Sequence, residues 1–227
     1  MSATLKIIYE DNHILAVNKT QHDLVQKDDT GDLALDDKVK QYLKERFKKP
    51  GEVFLGVVHR LDRPVTGVVL FARTSKALTR LTKMFREGGM KKTYWAIVKN
   101  PPPKESDRLV HHLVRNAKQN KSYCSESPKA GSKEAILSYR IIGRSDNYHL
   151  LEINLETGRH HQIRAQLSHI GSPIKGDLKY GFPRSNPDGG ISLHAREIRF
   201  VHPVTRREEV ITAALPEEDK LWKAFNI

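Results

Sequence analysis

Apolar and polar positions alternate in short blocks along the first part of this chain, and each block predicts one element. The runs LKIIYE and HILAVNK are separated by an Asp-Asn dipeptide, a turn signal that predicts a β-hairpin over residues 5–19. Residues 20–33 are polar and irregular, which indicates a loop. Apolar residues then recur at every fourth position at Val39, Leu43 and Phe47, the spacing of a helix face. We therefore expect a helix from Leu35 to Phe47, ended by Pro50-Gly51.

The middle of the chain combines buried strands with one strongly amphipathic helix. The apolar runs GVV and GVVLFA predict strands on either side of a polar insert. The segment SKALTRLTKMFREGG places Leu78, Leu81 and Phe85 on one helical face, and Thr74 or Ser75 can cap its start. The run TYWAIV is rich in aromatic and β-branched residues and therefore predicts a strand.

The second half of the chain predicts further strands, one more helix and connecting loops. The polar segment KQNKSYCSESPKAGSK, residues 118–133, indicates a loop, and AILSYRIIG and YHLLEINL predict a hairpin around the turn RSDN. The segment HHQIRAQLSHIG carries Ile163, Leu167 and Ile170 on one helical face. ISLHAREIRFVHP and REEVITAALP predict a final strand pair, followed by a short terminal helix.

Predicted strands outnumber helices and cluster as hairpins, so the expected fold class is α+β, with a largely antiparallel mixed sheet and flanking helices. The length suits a single domain over residues 1–227. Lys and Arg number 39 against 27 Asp and Glu, and the net charge of +12 favours a polyanionic partner. Cys124 is the single cysteine, so no disulfide within the chain is possible. No apolar run is long enough to span a membrane, and we expect a cytoplasmic protein and a monomer.

The polar insert HRLDRP interrupts the most apolar part of the chain and holds the first candidate for chemistry. Arg60 and Asp62 are two residues apart, so an extended backbone points both side chains to one face, and Pro64 favours extended geometry at Arg63. Neighbouring cations keep a carboxylate ionised, and an ionised carboxylate shielded from water is a usable nucleophile. A turn held by a salt bridge is the alternative interpretation of the same residues.

Tyr94 and Arg164 are further candidates, although their pattern alone favours structural roles. Tyr94 lies in a predicted strand, where core packing is the default, but a tyrosine beside two lysines can also stack on a nucleic-acid base. Arg164 follows Ile163 at the edge of an apolar helix face, where a cation is usually solvated. Histidine pairs at 111–112 and 160–161 lack a metal-binding spacing, and no glycine-rich phosphate loop is present. We therefore expect neither a metal nor a cofactor.

Three separated segments together resemble the RluA-type pseudouridine synthases. HRLDRPVTG at residues 59–67 is similar to that family's HRLDxxTSG signature, and KKTYWAIV at residues 91–98 is similar to its (K/R)xYxAxV strand. ETGRHHQIRAQLSHIGSPIKGDLKYG at residues 156–181 resembles the block TGRxHQIRxHLxxxGxPIxGDxxYG. IIYEDNHILAVNK is similar to the family's first strands, so the resemblance covers most of the chain in the family's order.

The resemblance implies the pseudouridine synthase catalytic fold, without a separate N-terminal RNA-binding domain. It implies isomerisation of specific uridines in structured RNA to pseudouridine, with tRNA preferred over rRNA and with no cofactor or metal. Asp62 would be the catalytic nucleophile, attacking the ribose C1′ or the uracil C6 of a flipped-out base. The substrate-binding residues would be Arg60 in the gap left by that base, Tyr94 stacked on it, Ile163 packed against it, and Arg164, which pairs with Asp62.

Several positions depart from the family's pattern. Val65 stands where the family usually has Thr, Gln166 replaces a common His, and the Pro and Gly expected after Asn18-Lys19 are missing. We expect the altered loop at residues 20–26 to influence which RNA fits. Two other classes remain open: a non-catalytic RNA-binding relative, which would bind RNA without forming pseudouridine, and an RNA hydrolase, which would release uracil or cut the strand.

Overall fold

The computed structural model describes residues 5–27 and 31–225. These residues form an α+β fold, as the strand-rich sequence predicts. In chain order the elements are β1 (Ile7–Glu10), β2 (Ile14–Lys19), α1 (Leu35–Arg46), β3 (Gly56–Val57), β4 (Thr66–Ala72), α2 (Ser75–Arg86), β5 (Lys91–Val98), β6 (Ser106–Asn116), β7 (Lys121–Ser125), β8 (Lys133–Arg144), β9 (His149–Leu155), α3 (Gln162–His169), a 3₁₀ turn (Leu178–Tyr180), β10 (Leu193–Val201), β11 (Glu208–Thr212) and α4 (Lys220–Lys223).

The contacts within the chain divide it into two compact units. The first comprises Met1–Met90 and Ala195–Ala214, and the second comprises Lys91–His194 and Leu215–Ile227. The single domain expected over residues 1–227 stays a prediction, and each unit is described by itself. Within the described ranges, no helix is both long and apolar enough to cross a membrane.

The first unit is built around β4, whose seven residues are all buried. The strand order is β1-β2-β4-β10, with β3 also paired to β4 and β11 paired to β10. β2 and β4 are antiparallel, and their register runs from the pair Ile14 and Ala72 to the pair Lys19 and Gly67. The predicted N-terminal hairpin is thereby confirmed as β1 and β2. Burial on both faces explains why β4 has a continuous apolar sequence rather than an alternating one.

The two helices of the first unit follow the predicted periodicity, with one difference at the end of α1. Val39 and Leu43 are buried as expected, but Phe47 lies at the C-cap and is 43% exposed. The guanidinium carbon of Arg73 lies over its ring, 4.7 Å from the ring centroid. Phe47 is therefore covered by a cation and is not packed into the core. In α2 the N-cap is Thr74, whose hydroxyl accepts a hydrogen bond from the backbone N–H of Ala77.

The second unit has the antiparallel strand order β5-β9-β8-β6-β7. The predicted β8–β9 hairpin is present, but the loop predicted over residues 118–133 is wrong in part, because β7 occupies Lys121–Ser125 and pairs with the long strand β6. Buried positions alternate with more exposed ones in the middle of β6, from Leu109 to Val114, as in a strand with one face against the core. Alternation over so few residues in a polar stretch is a weak signal, and the sequence predicts no strand here.

The helix α3 is present as predicted, although its surroundings are not. The pattern predicts an amphipathic helix with Arg164 at a solvated edge, but all six residues from Gln162 to Leu167 are buried. Its N-cap, His161, adopts a left-handed conformation with φ of 54°. A helix enclosed on every face must place its polar side chains in internal hydrogen bonds, and the exposed position expected for Arg164 is therefore wrong.

Gly67 ends the HRLDRPVTG segment where two backbones approach closely. Its φ is +112°, and a Cβ placed there would lie 2.2 Å from the carbonyl oxygen of Ala195. The atoms that this Cβ would meet belong to the backbone of Ala195 and not to a flexible side chain, so the backbone itself must shift. Overpacking costs about 1–3 kcal/mol and a left-handed residue about 1–2 kcal/mol. We expect Gly67→Ala to lower the free energy of unfolding by more than about 3 kcal/mol in urea denaturation.

Gly88 supplies the matched control, because it also has a positive φ, of +77°, but no described atom lies within 4 Å of its Cβ position. Gly88→Ala should cost about 1–2 kcal/mol, the conformational part alone. Equal losses in the two variants would contradict a role for the close approach at Gly67.

Candidate active site

The loop between β3 and β4 carries Asp62 and has a turn where an extended backbone was expected. The carbonyl of Asp62 accepts a hydrogen bond from the N–H of Val65 at 3.0 Å, which closes the turn. Arg60 is exposed, whereas Asp62 is half-buried. The neighbouring Arg63 donates to Asp32 at 2.6 Å. The extended geometry expected at Arg63 is therefore wrong, whereas Arg60 lies before the turn and Asp62 at its start. The loop keeps the carboxylate partly shielded while Arg60 reaches solvent.

Lys19, at the end of β2, holds this loop in place through hydrogen bonds to its backbone. Its Nζ donates to the carbonyl oxygens of Thr20, Arg63 and Val65 at 2.8, 2.8 and 2.7 Å. An ammonium group has three N–H donors, so these three carbonyls use its full capacity. The residue is 1% exposed. Two of the three carbonyls belong to the turn that carries Asp62, and Lys19 therefore fixes the backbone of the candidate nucleophile.

Burial changes the acid–base behaviour of Lys19. Removal from water lowers the pKa of its ammonium group to about 7, although the carboxylates of Asp23 and Asp62 oppose that shift. The attraction to Asp62 is an electrostatic link between the lysine and the candidate nucleophile.

His59 anchors the start of the same loop. Its Nε2 accepts a hydrogen bond from the backbone N–H of Leu70 at 3.2 Å, and its ring stacks on Phe85 with centroids 5.4 Å apart. A neutral imidazole with a fixed acceptor nitrogen is what this bond requires. The histidine of the HRLD segment thus has a structural role, joining the loop to β4 and α2.

The loop after Lys19 is shaped by hydrogen bonds at Asp23. This carboxylate accepts from the N–H and hydroxyl of Thr20 at 3.1 and 2.7 Å, and from Nζ of Lys38 at 2.7 Å. Burial alone would raise the pKa of Asp23, but the bonds from Lys38 and Thr20 outweigh it and lower the pKa. These polar contacts define the chain path where the resemblance leads one to expect a proline.

In the second unit, the candidate residues lie on β5 and α3. Tyr94 is half-buried on β5, opposite Ile153 of β9, so it is not enclosed in the core. Ile163 and Arg164 are each 5% exposed on α3. An aromatic residue with part of its ring exposed keeps a surface on which a base can stack.

Arg164 forms a buried, two-pronged ion pair. Its Nε and Nη2 donate to the two carboxylate oxygens of Asp177 at 2.7 and 2.9 Å, and both side chains are almost inaccessible. The guanidinium also lies over the ring of Tyr180, 5.0 Å from its centroid. Parallel bonds to one carboxylate fix the plane and position of a guanidinium, so α3 presents Arg164 in one defined orientation.

Tyr180 links this ion pair to the strands. Its hydroxyl accepts from the N–H of Ser122 at 2.8 Å, donates to the Ser122 carbonyl at 3.2 Å, and contacts Nδ1 of His161 at 3.0 Å. One buried hydroxyl therefore joins β7, the start of α3 and the 3₁₀ turn. The GDLKYG segment contributes both Asp177 and Tyr180, which gives it a positioning role for α3.

The predicted site residues thus fall into two groups. Arg60 and Asp62 share one loop of the first unit, and Tyr94, Ile163 and Arg164 belong to the second. The implied pairing of Arg164 with Asp62 stays a prediction. The sequence patterns did not single out three positioning residues, Lys19, Asp177 and Tyr180. The usable signal for Lys19 was a charge at the end of the apolar run ILAVNK. The signal for Asp177 and Tyr180 was the GDLKYG segment of the block that resembles the family.

A family model described as RNA pseudouridylate synthase matches residues 13–169, more than half of the chain. The chain belongs to this family. It is an RNA pseudouridine synthase, an isomerase, and the resemblance found in its sequence is confirmed.

Named relatives agree with this assignment. The synthase is 32% identical over 237 residues to the tRNA pseudouridine synthase C of Vibrio vulnificus, covering 96% of this chain and 93% of that protein. It is 31% identical to the ribosomal large subunit pseudouridine synthase C of Buchnera aphidicola, covering 92% of this chain and 66% of that one. The solved structure of human RNA pseudouridylate synthase domain containing 4 matches with a TM-score of 0.79 at 23% identity, over 93% of this chain and 89% of that one, and shows the same fold.

The buried Lys19 makes stability depend on pH in a defined direction. Its pKa is about 7 in the folded synthase and about 10.4 in an unfolded chain. Between these values the unfolded chain binds more protons, so the free energy of unfolding increases with pH as the buried ammonium loses its charge and the cost of burying that charge disappears. The neutral amine keeps two N–H donors for the carbonyls, and the gain is lost as the pH falls through 7. We expect Lys19→Met to reduce the free energy of unfolding more at pH 9 than at pH 6, as measured by urea denaturation.

Lys76, an exposed lysine on α2, is the control for this comparison. Lys76→Met should have the same small effect at both pH values. If the cost of Lys19→Met were also independent of pH, the lowered pKa of Lys19 would be contradicted.

The ion pair in the second unit gives a further prediction. Removing one partner of a buried pair costs about 3–5 kcal/mol, because the other charge remains buried without compensation. We expect Asp177→Leu to lower the free energy of unfolding by this amount, and the double variant Arg164→Met/Asp177→Leu to be the more stable of the two. Denaturant unfolding of both proteins measures the difference, and a double variant no better than the single one would contradict it.

Proposed function

We propose that the synthase converts specific uridines of structured RNA to pseudouridine through Asp62, with tRNA preferred over rRNA. The observation that carries this proposal is the half-buried Asp62 carboxylate, in a loop whose backbone accepts two hydrogen bonds from the buried Lys19. The preference for tRNA is supported by the near-complete mutual coverage with the tRNA pseudouridine synthase C relatives from Vibrio. The ribosomal large subunit relatives extend well beyond this chain.

The chemistry needs a nucleophile and careful positioning. The bond between N1 of uracil and C1′ of ribose breaks, a bond from C5 to C1′ forms, C5 loses a proton and N1 ends with one. Atoms and electrons balance within the nucleotide, so no external oxidant or group donor is consumed. The Asp62 carboxylate adds to C1′ or to C6, holds one part of the nucleotide while the base turns, and is released when the new bond is complete.

The reacting uridine must leave the base stack before a carboxylate can reach it. Extruding a base costs a few kcal/mol. We propose that Tyr94 stacks on the flipped uracil, a contact worth about 1–3 kcal/mol, and that Ile163 packs against it. Arg60 is exposed at the loop that carries Asp62, which suits insertion into the gap left in the RNA. These contacts offset the cost of extrusion.

Asp177 binds the Arg164 guanidinium through Nε and Nη2 and holds it in one orientation. We propose that Arg164 also acts in substrate binding, and that Asp177 holds it in orientation for that task. Because a bidentate partner fixes the guanidinium plane, a lysine at this position could not replace it.

Asp62→Asn is the decisive variant, because it removes the nucleophilic oxygen while keeping the shape of the side chain. We expect RNA affinity to change by less than about threefold and pseudouridine formation to fall by at least about a thousandfold, as for loss of a covalent nucleophile. Product is measured by chemical derivatisation and mass spectrometry on tRNA and rRNA transcripts. Binding is measured by filter retention of the same RNAs.

The exposed Asp146, in the turn between β8 and β9, supplies the matched control, and Asp146→Asn should leave turnover unchanged. Substantial turnover by Asp62→Asn would remove Asp62 from the nucleophile role. RNA binding by the parent without product would favour a non-catalytic relative, and free uracil or strand scission would favour a hydrolase. Faster modification of rRNA than of tRNA would reverse the proposed substrate preference alone.

A further inference from the structure

A cluster of metal-ligating side chains lies in the second unit, apart from the residues proposed for catalysis. His111 is on β6, and Cys124 is on the paired strand β7. In the β6–β7 register, Leu113 faces Cys124. Residues two apart on a strand share a face, so His111, Cys124 and Glu126 all project from the same side of this ribbon. The pairing of β6 with β7, which the sequence does not predict, brings these residues together.

The C-terminal end of α3 completes the cluster with His169. One ligand atom from each of His111, Cys124 and His169 lies within 4.8 Å of the other two. The two imidazole rings meet edge to face, with centroids 5.0 Å apart. Glu126 contacts both of them, with its Oε1 2.8 Å from Nε2 of His169 and 3.4 Å from Nε2 of His111. Three separate elements thus converge on one point.

We propose that His111, Cys124, His169 and Glu126 form a binding site for a thiophilic divalent cation of the Zn²⁺ type. Two imidazoles, a sulfur and a carboxylate are the donors that Zn²⁺ accepts in four-coordinate protein sites, and sulfur selects against Mg²⁺ and Ca²⁺. Bonds of about 2.0–2.3 Å in a tetrahedron separate ligand atoms by roughly 3.3–3.8 Å. The observed separations therefore require shifts of about 1 Å, which the exposed Glu126 and His169 can make.

The protonation states of His111 and Glu126 favour binding, and that of Cys124 opposes it. Burial lowers the pKa of His111, which keeps its imidazole neutral, and the hydrogen bond from His169 lowers the pKa of Glu126, which keeps it ionised. Burial, reinforced by Glu126, raises the pKa of the Cys124 thiol to about 12. The thiol proton is therefore released to solvent when the sulfur binds the cation, so affinity increases with pH.

Gln166 of α3 lies behind His111 as a second layer. Its Nε2 is 3.1 Å from Nδ1 of His111 and 3.1 Å from the carbonyl of Ala135. Its Oε1 is buried without a hydrogen-bond partner among the described residues. A metal-bound imidazole carries its proton on the other nitrogen and donates it to an oxygen. Rotating the amide by half a turn brings Oε1 opposite Nδ1 as an acceptor, in exchange for the present bond from Nε2 to the Ala135 carbonyl.

A cation in this position ties the end of α3 to the β6–β7 ribbon. The same helix carries Ile163 and Arg164 near its start. The role we infer is structural, since none of the four ligands belongs to the residues proposed to act on uridine. A ligand that binds only the folded chain raises its melting temperature, by an amount that grows with the logarithm of the ligand concentration above Kd, and this gives a readout independent of catalysis.

The test uses the full chain without a histidine tag, freed of metal with a chelator and titrated with Co²⁺ as a spectroscopic substitute for Zn²⁺. We expect one equivalent to bind, with the visible absorption of a tetrahedral site and the ultraviolet charge-transfer band of a cobalt–thiolate bond. Zn²⁺ should displace Co²⁺ and raise the melting temperature by several degrees.

The variants separate this site from other histidines on the surface. Cys124→Ser should lose the charge-transfer band and bind at least about tenfold more weakly, and His169→Ala should weaken binding similarly. His112→Ala is the matched control, because His112 points to the opposite face of β6, and it should bind as the parent does. Absence of stoichiometric binding, or equal binding by all of these proteins, would overturn the proposal.

Discussion

One buried ammonium group organises the loop on which the proposed chemistry depends. Lys19 places three donors against three backbone carbonyls, two of them in the turn that carries Asp62. Without it, each of these oxygens would lose a hydrogen-bond donor, and a buried carbonyl left without a partner costs about 1–3 kcal/mol. A run of apolar residues in β2 brings the lysine beneath the loop, so the hydrophobic core positions a charge and the charge positions a backbone. Fold and site are connected through this single side chain.

The second unit also contains a buried cation held by several hydrogen bonds, here the guanidinium of Arg164. Arg164 is enclosed by α3, the Tyr180 ring and the carboxylate of Asp177, and its orientation is fixed by two parallel hydrogen bonds. Buried ion pairs of this kind add little net stability compared with apolar packing, but they define one geometry. The family assignment gives that geometry a purpose, because isomerising a uridine needs accurate placement of the nucleotide more than it needs a strong acid or base.

Much of the fold could be predicted from local patterns. The N-terminal hairpin, the helix α2 with its Thr74 cap and the β8–β9 pair each show a periodicity that burial imposes. The strands β6 and β7 were not predicted, because the alternation of buried and exposed positions covers only a few residues within a polar stretch. The environment of Arg164 was also mispredicted, because its partner Asp177 lies in a different segment and only the folded chain shows that every face of α3 is covered. Contacts between distant segments leave no periodic trace in a sequence.

The region after Lys19 illustrates the effect of replacing a covalent restraint with polar ones. A proline ring would hold that backbone without help, whereas here the path depends on Thr20, Asp23 and Lys38, from two segments of the chain. Each of the three can vary only if the others compensate, so these positions are expected to change together as relatives diverge. The shape of this loop can therefore change during evolution while the hydrogen bonds from Lys19 to the loop that carries Asp62 are kept.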